Sequence, residues 1–246
     1  GGSCDFYHNN NRKLETTAAG VAVTGGVGIG TTTPLAKVDI VGNTDTWGGM
    51  ARVFLTDTAT NSGSRNWAIG NGGTDYGHLS VIVSNAKGGA PESSTGTTAL
   101  VINSSGAVTM PAQPAFSAQP SSDQTNIALE NLVDVAMGTE RFDVGADFAN
   151  STFTAPVTGK YGLGYNLRLE YCDTAASYLY VQITTSNRNY RTIRALKLTA
   201  DPTYWNANLF VVADMDASDT AKVQILQSGG TAQMDMLRIQ DNNVWA

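Results

Sequence analysis

Hydrophobic and polar residues alternate along much of this chain in short stretches, and this pattern predicts β-strands. In residues 44–113, apolar stretches begin at Val53, Trp67, Leu79 and Ala99, and loops rich in Gly, Asn, Ser and Thr separate them. Turn residues recur about every eight to twelve positions, a spacing that is typical of all-β proteins. We therefore expect this stretch to form a β-rich module.

The alternation becomes longer and more regular in the C-terminal part of the chain. Apolar residues occupy every second position of one long segment: Tyr161, Leu163, Tyr165, Leu167, Leu169 and Tyr171. This pattern predicts a long strand with one face buried. Residues 179–183 repeat it, and two apolar runs flank a turn predicted at 217–219. From residue 114 onward, the sequence predicts a β-sandwich or jelly roll.

A glycine-rich segment, TGGVGIGTTTP at 24–34, resembles a phosphate-binding loop at first sight. A Walker-type loop places Lys directly after its last Gly, and a dinucleotide-binding loop opens a helix. Here three threonines and Pro34 follow Gly30, and the next lysine is Lys37. Threonines and a proline make a poor helix start, whereas residues 37–41 alternate as a strand does. We interpret the segment as a joint between strands.

Linker and turn residues divide the chain into three predicted parts. Pro111 and Pro114 mark the clearest linker. We predict a fibre-shaft segment at 1–43, a β-rich shaft module at 44–113 and a jelly-roll head at 114–246. The first segment contains too few apolar residues to bury a core, so it requires partner chains or a longer upstream repeat.

Composition and charge exclude several classes of partner. The 246 residues carry a net charge of −6, which argues against nucleic-acid and anionic-membrane partners. Apolar stretches are too short to insert into a membrane. The two cysteines, Cys4 and Cys172, lie in different modules, so we expect neither a disulfide nor a cysteine metal site. The chain begins with Gly and lacks a signal-peptide pattern, and we expect it to be the processed or ordered end of a longer chain.

The segment FDVGADFANSTFTAPVTGKYGLGYNLRL at 142–169 resembles the central signature of the globular head of complement subcomponent q. The positions that carry this resemblance are Phe142, Phe153, Gly159, Tyr161 and Tyr165. Leu163 stands where that family usually has Phe, and the stretch between Phe148 and Phe153 is shorter. The resemblance covers 114–246 and implies a ten-stranded jelly roll, shared with tumour necrosis factor, that assembles as a homotrimer.

The front half resembles a different group of proteins. KLETTAAGVAVTG, VGIGTTTPLAKVDIVG and TTALVINSSGAVTMPAQP are similar to phrases that recur in tail fibres of tailed bacteriophages, especially marine ones. In those fibres such phrases separate the β-modules of a trimeric shaft. The resemblance implies that the glycines let three chains approach a common axis, with Pro34 setting the entry angle of the next strand. It also implies other virion tail proteins as partners through an upstream region.

Candidate catalytic and metal-binding residues are sparse, and we expect no catalysis, no metal and no cofactor. Asp214, Asp216 and Asp219 form an acidic group, but an EF-hand needs Gly and Glu at positions that they do not match. We interpret them as a polar turn. Calcium binding is kept as an alternative, because some complement-type heads bind calcium near the trimer apex. His8 and His78 lie on separate modules, where surface or cross-chain hydrogen bonding is expected.

Two head segments concentrate the residue types that bind receptors. They supply aromatic, amide and arginine side chains, and we predict both as loops on a rigid sandwich. The first segment supplies Asn187, Arg188, Tyr190 and Arg191, and the second supplies Tyr204, Trp205, Asn206 and Asn208. Aromatic faces beside amides suit sugar rings. For the arginines of the first segment, the alternative to receptor binding is a solvent-exposed strand face. For Trp205, the alternative is packing into the sandwich.

These observations lead to one functional hypothesis. We expect an extracellular, trimeric virion tail-fibre protein whose head binds a glycan or protein receptor on the host surface. One alternative is a structural virion or filament component whose head only trimerises and caps the shaft. A secreted bacterial adhesin with the same head is another, and a depolymerase fibre a weaker one, because the acidic residues are scattered through turns.

Overall fold

The computed structural model of the chain describes residues 4–42, 50–238 and 243–245. These residues form strands and loops and contain no helix, so the all-β prediction is confirmed. The described part accordingly has no helix long and apolar enough to cross a membrane. The chain divides into two compact units, Gly1–Ala112 and Gln113–Ala246, and each is described by itself.

The first unit begins with two small sheets. Their strands are β1 (Asp5–His8), β2 (Asn11–Thr17), β3 (Gly20–Val23), β4 (Val27–Ile29) and β5 (Val38–Ile40). The first three form an antiparallel sheet, and β4 and β5 pair in parallel. Asn9 and Asn10 connect β1 and β2 with φ values of 50° and 61°, the type I′ geometry that matches the twist of a hairpin.

The glycine-rich segment forms the joint between β4 and β5, as its sequence indicates. The Val27 amide donates to the Lys37 carbonyl at 2.8 Å, and the Val41 amide donates to the Ile29 carbonyl at 2.8 Å. Gly30 has a φ of +77°, and a Cβ there would lie 2.3 Å from the Val41 carbonyl oxygen. Only glycine permits this close approach. No residue between 4 and 42 is buried.

A five-stranded antiparallel sheet follows in the first unit. Its strands are β6 (Arg52–Leu55), β7 (Trp67–Asn71), β8 (Leu79–Ser84), β9 (Gly96–Ile102) and β10 (Val108–Thr109), in the order β10-β9-β8-β7-β6. Loops of the same chain cover one face. Asn66 anchors these loops. Its backbone amide donates to Ser84 Oγ at 3.0 Å, and its side-chain amide donates to the Gly89 carbonyl at 2.9 Å.

The second unit, which we call the head, is a sandwich of two antiparallel sheets. Its strands are β11 (Ala115–Gln119), β12 (Val133–Asp134), β13 (Thr139–Val144), β14 (Phe148–Ala149), β15 (Thr152–Thr154), β16 (Gly159–Glu170), β17 (Ala176–Thr185), β18 (Asn189–Arg194), β19 (Tyr204–Met215), β20 (Thr220–Gly229), β21 (Asp235–Met236) and β22 (Asn243–Trp245). The first sheet has the order β13-β11-β22-β16-β19 and the second β14-β15-β20-β17-β18. This order confirms the predicted jelly roll.

The core of the head lies between the two sheets and is organised around β16. Leu163, Leu167 and Leu169 are at most 3% exposed, in agreement with the alternation of the sequence. Tyr165 crosses the core, and its hydroxyl donates to the Val181 carbonyl of the opposite sheet at 2.9 Å. Burial raises the pKa of Tyr165 to about 12, so the phenol stays protonated and keeps this bond.

The structure of the head corrects one local prediction. Tyr171 does not continue the buried alternation: β16 ends at Glu170, and Tyr171 has a φ of 54° and is 57% exposed. The chain turns there, so the side chain leaves the core.

Asp173 holds the turn that closes one end of the sandwich. Its carboxylate accepts the amides of Thr231 at 2.6 Å, Ala232 at 3.0 Å and Ala175 at 2.7 Å. These three amide donors hold the pKa of Asp173 below its usual value. Gly230, with a φ of +86°, brings the amides in, and a Cβ there would lie 2.4 Å from the carboxylate.

Replacing Asp173 by Asn is expected to destabilise the head by about 2 kcal/mol at pH 7, because the amide cannot accept all three bonds. The carboxylate has a lowered folded-state pKa, so its contribution is present above the unfolded value of about 3.9 and is lost as the pH falls below it. The melting temperature of Asp173→Asn should therefore depend less on pH below about 4. Asp216→Asn, at an exposed turn position, serves as control; equal melting curves for both variants would contradict this role.

Candidate functional site

The first predicted binding segment begins in the turn between β17 and β18. The Asn187 side chain donates to the Asp214 carbonyl at 3.1 Å and to Asp219 Oδ2 at 2.7 Å, and so ties this turn to the end of β19 and the start of β20. Arg188 is exposed beside it, and its amide donates to Thr185 Oγ1 at 3.1 Å. Asn187 is thus committed to internal bonds, whereas Arg188 presents its guanidinium to solvent.

Tyr190 and Arg191 lie on β18 and face opposite ways. Tyr190 is half-buried and packs against the core of the head. Arg191 points outward, where its Nε donates to Gln182 Oε1 at 2.6 Å and its guanidinium carbon lies 4.8 Å from the centre of the Tyr180 ring. Gln182 is itself 0% exposed. The guanidinium is therefore held in one place while remaining exposed.

A chain of hydrogen bonds extends from Arg191 across the second sheet. Gln182 Nε2 donates to Gln224 Oε1 at 3.1 Å, and Gln224 Nε2 donates to Asp134 Oδ1 at 2.7 Å. Lys222 pairs with the other oxygen of Asp134 at 2.8 Å. The side-chain amides of Gln182 and Gln224 thus connect the Arg191 guanidinium on β18 to the Asp134 carboxylate on β12. No sequence pattern reveals this network, because its members are far apart in the chain.

The second predicted segment is not a loop. The structure places Tyr204, Trp205, Asn206 and Asn208 on β19, which pairs with β16 from Tyr204 through Met215. The preceding loop covers 195–203. The prediction was wrong because Pro202 and the asparagines are turn-forming residues, and a twelve-residue pairing with a buried central strand overrides that local preference.

Strand geometry separates the roles of these residues. Tyr204, Asn206 and Asn208 face outward and are exposed, whereas Trp205 is half-buried and packs against the core, as the packing alternative held. Tyr204 is 59% exposed, and the Arg168 guanidinium carbon lies 4.9 Å from the centre of its ring.

The predicted residues do not converge on one pocket. β18 and β19 are edge strands of the two sheets and run beside each other, with the Thr192 hydroxyl donating to the Asn208 carbonyl at 3.3 Å. Asn187 contacts Asp214, and Tyr204 precedes Asp214 by ten strand positions, or about 33 Å. The residues therefore line one side of the head, which we call the β18–β19 edge.

The acidic group at the β19–β20 turn is held by separate protein partners. Asp214 pairs with Lys160 at 2.7 Å, and that contact lowers the pKa of Asp214. Asp219 accepts the Asp216 amide at 2.8 Å, and Asp216 accepts the Thr158 hydroxyl at 3.4 Å. Within the described residues, no three His, Cys, Asp or Glu side chains are grouped to hold a metal ion.

Sequence reasoning missed an apolar surface on the outward face of the first sheet. Phe210 and Val212 are each 62% exposed on β19. Gly162 and Gly164 of β16 provide the space for neighbouring rings, because a Cβ on Gly162 would lie 3.1 Å from Phe210 and one on Gly164 would lie 2.7 Å from Trp245. The available signal was the pair of glycines at alternate positions of a strand, which marks a close approach.

Comparisons with known proteins find similar structures but no matching family. No protein-family model matches the chain, and no curated protein matches it. The globular domain of zebrafish complement 1qA protein is similar at 16% identity, over 54% of this chain and 93% of that chain, with a TM-score of 0.40. Murine APRIL at pH 8.0 is similar at 14% identity, over 54% of this chain and 95% of that chain, with a TM-score of 0.40.

Replacing Trp205 by Ala is expected to lower the melting temperature of the head, because the side chain packs against its core. A loss of about 2 kcal/mol is appropriate for a half-buried aromatic residue. Tyr204→Ala is the matched control, since it removes the neighbouring aromatic ring on the solvent side. Thermal unfolding, monitored by circular dichroism, distinguishes the two variants. A wild-type melting temperature for Trp205→Ala would contradict the packing role.

Proposed function

We propose that the chain is the distal part of a homotrimeric virion tail fibre whose head binds a glycan or protein receptor on the host surface. The main support for this proposal is that residues 4–42 form five strands, yet none of their side chains is buried. Regular strands without a core need surfaces from other chains, as stacked repeat modules do. Identical copies supply such surfaces in register, because closed assemblies of soluble proteins are mostly symmetric.

The head supports the trimer through its apolar outward face. Phe210 and Val212 stand exposed beside the Trp245 ring on the first sheet. An exposed group of large apolar side chains marks an interaction surface in a soluble protein. We assign the part of this face around Phe210, Val212 and Trp245 to contact between heads, which leaves the Tyr204 end of β19 and the outward face of the second sheet for other partners.

Receptor binding is assigned to the β18–β19 edge because its side chains are exposed and already ordered. Arg191 is fixed by Gln182 and Tyr180, and Tyr204 is contacted by Arg168. Side chains held in place before binding lose little conformational entropy on binding, which favours affinity. Arg and Tyr are also enriched among the residues that dominate binding energies.

The virion location is supported by the sequence phrases of the front half, which resemble tail-fibre shafts. A structural component whose head only caps the shaft, and a secreted adhesin, share the same head. A host-adsorption assay distinguishes the capping component from a receptor-binding fibre. A baseplate-attachment region upstream would distinguish a fibre from a secreted adhesin. We assign no catalytic step to the chain; release of reducing ends from host polysaccharide by the purified protein would identify a depolymerase instead.

Phe210→Glu is expected to weaken the trimer, because three carboxylates would have to leave water at the proposed head interface. The wild-type chain should show a trimer mass in light scattering at micromolar concentration, and the variant should shift toward monomer. Ile193→Glu is the control, since Ile193 is 61% exposed on β18 and Phe210 is 62% exposed. A monomer mass for the wild-type chain would overturn the trimer.

Arg188→Ala and Tyr204→Ala are each expected to weaken receptor binding about thirtyfold, the equivalent of about 2 kcal/mol for an anchor residue. The purified variants should therefore compete poorly with the wild-type protein for adsorption to host cells, and trivalency should enlarge the difference. Lys87→Ala, which removes an exposed cation from the first unit, is the control. Normal competition by both head variants as intact trimers would place the receptor site elsewhere.

A further inference from the structure

The five-stranded sheet of the first unit carries one continuous apolar face. Cross-strand pairs place Val53 beside Ile69, Ile69 beside Val81, and Val81 beside Leu100. The face, which we call the open face, contains the polar residues Asn71 and Thr97 and ten apolar residues: Val53, Leu55, Trp67, Ile69, Leu79, Val81, Val83, Leu100, Ile102 and Val108. None of these ten side chains is charged, and none is buried.

The opposite face shows how unusual this arrangement is. The chain covers that face with its own loops. The face contains Ala68, Ser80 and Ser84 together with the apolar residues Ile82 and Val101, all at most 8% exposed. An antiparallel sheet normally turns its apolar side to the core and its polar side to water. Here the chain covers the more polar side, while Leu55 remains 53% and Trp67 39% exposed on the apolar side.

The open face is large enough to be an interface. Five strands spaced about 4.8 Å apart, with about five residues each, span about 400 Å² of flat sheet. Contiguous apolar patches of several hundred Å² on a monomer commonly mark binding surfaces. Charged side chains are absent from the ten positions, so a partner that matches the face must be equally apolar.

The chain itself points to its own copies as that partner. The preceding residues 4–42 have no buried side chain, and the following head presents Phe210 and Val212 to solvent. Among the described residues, three successive parts of one chain thus lack a covering surface. A parallel copy supplies all three surfaces in the same order, whereas a different protein would have to match three unrelated ones.

We propose that the open faces of three copies pack against one another around a common axis and form the dry core of the shaft. Face-to-face sheets pack about 10 Å apart, which brings Val81 on the central strand β8 close to Val81 of another copy. This inference rests on the trimer of the proposed function and adds the surface that holds the shaft together independently of the head.

Cysteine cross-linking in the full chain tests the arrangement. In a Cys4→Ser background, Val81→Cys should give covalent dimers with a bis-maleimide of about 10 Å span, since facing sheets have that separation. Cys172 is 0% exposed and does not compete. Phe54→Cys, on the covered face of the sheet, is the control, and we expect at least tenfold less cross-linked product from it.

A second pair of variants tests the energetics of the same face. Leu55 and Phe54 are adjacent, are 53% and 46% exposed, and lie on opposite faces of β6. In a Phe210→Glu background, which weakens the head contact, Leu55→Glu should shift the light-scattering mass further toward monomer, whereas Phe54→Glu should not. A wild-type trimer in which Val81→Cys fails to cross-link overturns this inference and leaves the head trimer intact. A wild-type monomer overturns both.

Discussion

Burial of alternate β16 side chains between two sheets is the constraint on which the head depends. Because successive residues of a strand point to opposite faces, a slip of one residue would send Leu163, Leu167 and Leu169 to solvent and bring Arg168 and Glu170 into the core. The Tyr165 hydroxyl adds a directional contact, since it must meet the Val181 carbonyl of the opposite sheet. The pairing of β16 with β19, and the position of every β19 residue on the β18–β19 edge, follow from that register.

The two units use the same strand geometry with opposite results. In the head, each sheet turns its apolar face inward, and one chain completes the core. In the first unit, the five-stranded sheet turns its more polar face toward the chain's own loops and leaves its apolar face open. A sheet folded in this way gains its main hydrophobic stabilisation only when another surface covers it. Under the proposed assembly, folding and association of the first unit are coupled, whereas the head has a complete core of its own.

The β18–β19 edge combines order with exposure. Arg191 and Tyr204 lie at the margin of a rigid core, where strand pairing fixes the backbone and neighbouring groups hold the two side chains. The same register places Trp205 and Tyr190 inward, so these aromatic residues support the edge from below. Binding and stability are thus assigned to alternate positions of the same strands, and a single-residue substitution can separate them.

The sequence by itself determined the all-β class, the long buried strand at β16 and the joint character of the glycine-rich segment, and it led to the prediction that residues 1–43 depend on other chains. Each of these follows from local patterns, because alternation, glycine positions and apolar content act within a few residues of one another. Only the tertiary structure decided that Tyr204 begins a strand, that Asn187 and Tyr204 lie at opposite ends of one edge, and that Arg191 is connected to Asp134. These features depend on pairing between residues far apart in the chain. It also decided which face of the five-stranded sheet the loops cover, since both faces contain apolar residues and alternation alone does not distinguish covered from open.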